Sequence, residues 1–190
     1  MKFRLLMIAG IAALTATSAS AQGWNVSILG GPSFYPALSI NGTHNGVDSG
    51  FNVGGRLGYD VGDDYGFPGL TLAVDTFYNQ GHFQGTSSDF SSLSFMGNAL
   101  YHFNFEQTPF GVYGGAGIGA VRTAVDAPAA SGSGTVLGWQ LIGGVDYTLM
   151  SNTSLFAEYR YLNAHNANAG TFANVGNTSN NLSFGVKLAL

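Results

Sequence analysis

The feature that most constrains this chain is an alternation of apolar with polar or very small residues at period two, recurring along most of the sequence after residue 22. Successive side chains of a strand point to opposite faces, whereas an amphipathic helix needs apolar residues three or four apart. In Gly50–Asp60, Phe51, Val53, Leu57 and Tyr59 share one parity, and Asn52, Gly54, Arg56, Gly58 and Asp60 hold the other. In 70–79 the apolar set is Leu70, Leu72, Val74 and Tyr78, against Thr71, Ala73, Asp75 and Asn79, with Phe77 breaking the rule. In 92–103, Leu93, Phe95, Ala99, Tyr101 and Phe103 oppose Ser92, Ser94, Met96, Asn98 and His102. The segment 181–190 opposes Leu182, Phe184, Val186, Leu188 and Leu190 to Asn181, Ser183, Gly185, Lys187 and Ala189. Strands at 24–31, 110–122, 135–148 and 154–162 bring the expected number to eight.

Alternation alone does not say which face meets water, and a soluble β-sandwich is the competing fold. The charges decide between them. Arg56, Asp75, Glu158, Arg160 and Lys187 all fall on the polar parity. A sandwich would put that parity in solvent, whereas a closed barrel of about eight strands would fill its interior with it. Leaving one such charge unpaired in a dry interior costs several kcal/mol, so the five are expected to form one paired network, which His102 joins. Phe77, Met96, Leu100 and Tyr113 also take the inward parity and are expected to plug the interior.

The connections give a second argument. Those at 32–49, 81–91, 123–134 and 163–180 are long, and those at 61–69, 104–109 and 149–153 are short. Membrane barrels combine short turns on one side with longer loops on the other. Aromatic residues fall near strand ends, with Trp24, Tyr59, Tyr101, Phe103, Phe110 and Tyr147 toward the turns and Tyr78, Tyr159 and Tyr161 toward the loops. Two interfacial belts of this kind mark the two membrane surfaces. The expected fold is therefore all-β, an eight-stranded antiparallel transmembrane up-and-down barrel.

Lys2 and Arg4, the apolar run from Leu5 to Leu14 and the small-residue tail ending Ala19-Ser20-Ala21 have the layout of a signal peptide. Residues 1–21 are expected to be removed, leaving 22–190 as the barrel, with both termini periplasmic in the outer membrane of a Gram-negative bacterium. The apolar run is too short to cross a bilayer as a helix, which takes roughly 20 residues. There is no cysteine, which excludes disulfides and thiolate metal sites. Net charge is −4 with only six Lys and Arg, so no basic stripe exists to bind nucleic acid.

Several short motifs, in order, resemble those of a known family. They are Pro109-Phe110-Gly111-Val112-Tyr113-Gly114-Gly115-Ala116-Gly117-Ile118-Gly119, Gly138-Trp139-Gln140, Gly143-Gly144-Val145-Asp146-Tyr147, Ala157-Glu158-Tyr159-Arg160-Tyr161-Leu162 and Phe184-Gly185-Val186. Together they resemble the OmpA-like outer-membrane β-barrel family, often labelled porin family or opacity-like proteins. The resemblance implies roles in envelope integrity or host contact, with a host or envelope ligand at the loops. It implies outer-membrane lipid, lipopolysaccharide, periplasmic chaperones and the barrel assembly machinery as partners. Phe184, Gly185, Val186, Leu188 and Leu190 would be the terminal assembly signal, with Leu190 standing where the family usually has Phe or Trp.

Fold does not dictate function here, because small barrels serve as anchors, adhesins, lipid-modifying enzymes and solute passages. The favoured expectation is a structural or surface-interaction protein acting through four extracellular loops rich in Ser, Thr, Asn and Gly. The alternative is a narrow diffusion pore, which an interior just wide enough for side chains disfavours. A further alternative is a lipid A-modifying enzyme. His165-Asn166-Ala167-Asn168-Ala169-Gly170 resembles the His-x-Ser-Asn-Ala-Gly motif of lipid A deacylases, but Ala167 stands where the nucleophilic serine should be. No Asp or Glu follows it to orient a base. No catalytic residue or cofactor is therefore expected. Three histidines, His44, His82 and His165, fall in expected loops, without paired ligand spacing such as His-x-His to suggest a metal site.

Overall fold

The computed structural model describes residues 23–36, 38–40, 43–45, 48–61, 66–82, 89–127, 130–169 and 172–190. The expected signal peptide lies outside them. The described chain holds ten strands: β1 (Trp24–Phe34), β2 (Leu38–Ile40), β3 (Thr43–Asn45), β4 (Gly50–Asp60), β5 (Leu70–His82), β6 (Asp89–Asn104), β7 (Phe110–Ala127), β8 (Ala130–Met150), β9 (Thr153–Ala169) and β10 (Phe172–Ala189). Eight close into a barrel in the order β1-β10-β9-β8-β7-β6-β5-β4, with β1 paired to β4 and every pairing antiparallel. Strands β2 and β3 pair only with each other, in the connection between β1 and β4. Closure leaves no exposed edge, which is what lets strands cross a hydrocarbon layer.

The alternation has inverted polarity relative to a soluble protein. Ile28, Leu72, Phe95, Ile118, Leu137, Leu141, Val145 and Phe184 all face outward with at least half their surface exposed. Asn52, Asp75, Asn98, Gln140, Glu158, Arg160, Asn181 and Ser183 are buried on the opposite face. Exposed apolar side chains around a whole closed sheet make sense only against lipid.

Large inward side chains find room because glycine stands beside them on the neighbouring strand. A Cβ on Gly54 would lie 2.7 Å from the Phe77 ring, one on Gly115 would lie 2.7 Å from Leu100 Cδ2, and one on Gly144 would run into the Tyr113 ring. The glycine-rich inner face of β7 is thus a set of slots. The short turns have their own chemistry: Gly69 at φ 88° brings the chain back into β5, where a Cβ would strike the His102 carbonyl.

One expectation needs correction. The segments 123–134 and 163–180, expected as loops, are mostly strand: β7 and β8 pair out to Ala127 and Ala130, and β9 and β10 pair out to Ala169 and Phe172. Strands β5 and β6 likewise extend into 81–91, pairing out to His82 and Asp89. The alternation fades there because the outward row turns polar or small, as at Ser91, Ala124 and Ser133, but backbone pairing does not require an apolar face. Strand β8 has 21 residues, about twice the 9–11 that a tilted strand needs to cross a bilayer.

Candidate functional site in the barrel interior

At mid-height the interior is locked by four charges. Arg56 and Asp75 face each other in register on β4 and β5, with Arg56 Nε donating to Asp75 Oδ1 at 2.9 Å. Arg56 also reaches across the barrel to β9, its Nη2 lying 2.8 Å from Glu158 Oε2. Arg160 Nη2 donates to Glu158 Oε1, two residues away on the same face of β9, and to Asp75 Oδ2 on the far wall, both at 2.7 Å. Two cations meet two carboxylates, so the cluster is neutral, and the Tyr113 hydroxyl donates to the second Glu158 oxygen at 3.0 Å. The Arg160 guanidinium carbon lies 4.2 Å from the centre of the Phe77 ring, a cation–π contact in a dry setting. Arg160 Nη1 donates to Gln140, which donates in turn to Asn98 on β6.

Four of the five expected network residues are therefore together, and Lys187 is not. It sits nearer the turns and lines a cavity of about 280 Å³ at the turn-side mouth with Asp60, Thr71, His102 and Asn104. The reason is depth. Parity places a side chain inside, but Lys187 pairs with Ser154, four residues from Glu158 along β9 and toward the turns, about 13 Å at the usual strand rise. His102 belongs to the same mouth. It stacks on Tyr113 with ring centroids 4.9 Å apart, and its Nδ1 is 3.9 Å from Asp146 Oδ1.

On the loop side of the charges lies a neutral polar layer that the sequence reading did not single out. Ser33 Oγ donates to Asn181 Oδ1 at 2.7 Å, Asn52 Nδ2 to Ser33 Oγ at 3.2 Å, and Ser183 Oγ to Asn52 Oδ1 at 2.8 Å. The signal was available for Asn52, Asn181 and Ser183, which hold the inward parity of expected strands, but not for Ser33, which falls in the expected connection 32–49 into which β1 extends. On β6, β7 and β9 an apolar group of Met96, Val121, Leu162 and Ala164 is buried, and Tyr35 packs edge-on against Phe90 at 5.4 Å. Burial pushes the Tyr35 hydroxyl well above its ordinary pKa, so it stays protonated. The expected plugs Phe77, Met96, Leu100 and Tyr113 are all buried.

On the outside, the turn-side aromatics lie in pairs: Trp24 with Tyr59, Tyr101 with Phe103, and Phe110 with Tyr147, at 4.7–5.1 Å between centroids. Toward the loops, Tyr78 pairs with Phe51 and Tyr161 with Trp139, while the Tyr159 hydroxyl donates to Asn180 Oδ1 at 2.6 Å. Of the terminal residues, Phe184 and Leu188 face outward and Gly185 gives way to the Phe156 ring. Val186 pairs with Ile28 and Leu155, and Leu190 N donates to the Trp24 carbonyl. Among the described residues no group of three His, Cys, Asp or Glu side chains is placed to hold a metal. The backbones of His44, His82 and His165, expected in loops, lie in β3, β5 and β9, and their side chains lie outside what is described, as do the side chains of the stretch that resembles the deacylase motif.

Comparison with known proteins agrees with this geometry. The crystal structure of Neisserial surface protein A superposes with a TM-score of 0.67 at 27% identity, covering 89% of this chain and 98% of that one. OprG from Pseudomonas aeruginosa matches with a TM-score of 0.51 at 17% identity over 89% of this chain and 98% of its own. Ail, the attachment invasion locus protein of Yersinia pestis, gives 0.50 at 17% identity over 88% and 99%. The two latter likenesses speak to fold alone. No curated protein matches the sequence. The model of the outer membrane protein β-barrel domain matches residues 3–188, and the chain belongs to that family.

Proposed function

We propose that this protein is a sealed, non-enzymatic outer-membrane barrel whose role is structural or one of surface interaction, carried by the strand extensions on its loop side. The observation that carries this reading is the filled interior. Arg160, Glu158, Phe77, Met96, Leu100 and Gln140 have at most 1% of their surface exposed, so the middle of the barrel offers no water-filled path. A pore needs such a path, and an enzyme needs an activated group beside a substrate pocket. The charged side chains at mid-height are instead bonded to one another. The turn-side mouth is a cavity that ends at the charge cluster.

What remains available is the loop-side end, where β7–β8 and β9–β10 run far past the apolar band. The name of the Neisserial relative, a surface protein, supports placing the business of the molecule there, with both termini on the periplasmic side. The test is a variant in which residues 124–133 are replaced by a two-residue turn, compared with wild type in a strain lacking the protein. The truncated barrel is expected to keep its gel shift on boiling while losing any surface adhesion or serum protection that wild type confers. Uptake of small solutes that follows wild-type expression, or deacylated lipid A in its membranes, would contradict the reading.

A further inference from the structure

The described chain contains four cations, and three of them, Arg56, Arg160 and Lys187, point into the barrel. The fourth, Arg122 on β7, is exposed on the outward face. Its surroundings change character within a few residues. In register beside Arg122 stand Leu93 on β6 and Thr135 on β8. The next outward row toward the loops is Ser91, Ala124 and Ser133, and the next row toward the middle is Phe95, Ala120 and Leu137. Arg122 thus stands on the line where the lipid-facing surface turns from apolar to polar.

That line is where lipid headgroups lie. A cation on the lipid face is costly at mid-bilayer and nearly free at the interface, so the position suits a contact with phosphate. Arg122 Nη2 donates to Ser133 Oγ at 3.3 Å, which tilts the guanidinium toward the loops. Guanidinium presents five N–H donors in a planar fork that matches phosphate oxygens. The hydroxyls of Ser133 and Thr135 add neutral donors on the next strand. Immediately below, Ala120 forms the floor of a trough walled by Phe95 and Leu137, which are 61% and 64% exposed.

From this arrangement we infer that Arg122, with Ser133 and Thr135, binds a phosphate of lipid A in the outer leaflet, while one acyl chain of that lipid lies over Ala120 between Phe95 and Leu137. The assignment to the outer leaflet rests on the reading above that the loop side faces outward. Lipid A is the outer-leaflet lipid that carries both phosphate and several chains, and a headgroup at this height places its chains alongside the apolar rows below.

The experiment uses the detergent-folded protein and counts retained lipid by native mass spectrometry. The probes are bis-phosphorylated lipid A, monophosphoryl lipid A and phosphatidylglycerol. Wild type is expected to hold bis-phosphorylated lipid A most tightly. Arg122→Ala should weaken it about fivefold, the weight of one cation near a charged lipid surface, and Arg122→Lys should recover most of the loss. Ala120→Trp, which fills the trough, should weaken all three lipids, and the boiling shift on gels verifies that each variant is folded. Unchanged retention by Arg122→Ala would overturn the site. Phosphatidylglycerol held as tightly as lipid A would overturn the choice of lipid. Orientation is read separately: Ser49→Cys, exposed at the loop-side start of β4 and outside the phosphate site, should react with a membrane-impermeant maleimide on intact cells, and a failure there would strike the loop-side reading and not the phosphate contact measured in detergent.

Discussion

The middle of the barrel and its turn-side mouth both contain acids and bases, yet they are built on different terms. In the middle, Arg56, Asp75, Glu158 and Arg160 are bonded at 2.7–2.9 Å and shut away from water. At the mouth, Asp60, His102, Asp146 and Lys187 surround open space, and His102 and Asp146 approach only to 3.9 Å. The difference teaches that inward parity alone does not make a network. The four central charges bond one another within the wall, whereas at the mouth Asp60 takes neutral donors, Thr71 and Asn25, and Lys187 borders open space.

Substitutions that leave a charge without a partner should separate the two regions most sharply. Arg160→Ala leaves two carboxylates facing Arg56 alone, and should cost about 3–5 kcal/mol in urea unfolding of the lipid-folded protein. Asp75→Ala strands one arginine and should cost nearly as much, well above Asp89→Ala at the end of β6. Equal losses for Asp75→Ala and Asp89→Ala would break the distinction. Steric substitution comes next: Gly144→Ala puts a methyl against the Tyr113 ring, with an expected loss of about 1–3 kcal/mol. Lys187→Ala, at the wet mouth, should cost under about 1 kcal/mol. Smallest of all, raising salt from 0.1 to 1 M should alter the Lys187→Ala difference and leave that of Arg160→Ala unmoved, because screening reaches exposed charges and not buried pairs.

Much of this architecture was legible in the residues. Glu158-Tyr159-Arg160 places two opposite charges on one face with an aromatic on the other, and that tripeptide holds half of the central cluster. Phe77, which breaks the alternation on β5, does so because it lies inside under Arg160 in the slot left by Gly54. What parity could not supply is height along the strand. Nothing in the pattern around Lys187 shows that it lies a dozen ångströms from Glu158, since height depends on the stagger of strands around the barrel. The strand extensions were hidden for a related reason. Past Arg122 the outward row turns to Ser91, Ala124 and Ser133, so the hydropathy signal fades there while the hydrogen-bond ladder continues.

The central claim is that the charge cluster and its apolar neighbours seal the barrel. Planar-bilayer recording of protein that shows the boiling shift tests this most directly. The account predicts a flat baseline for wild type, at voltages where a known porin gives steps; stable, reproducible conductance steps from the wild-type protein would contradict it.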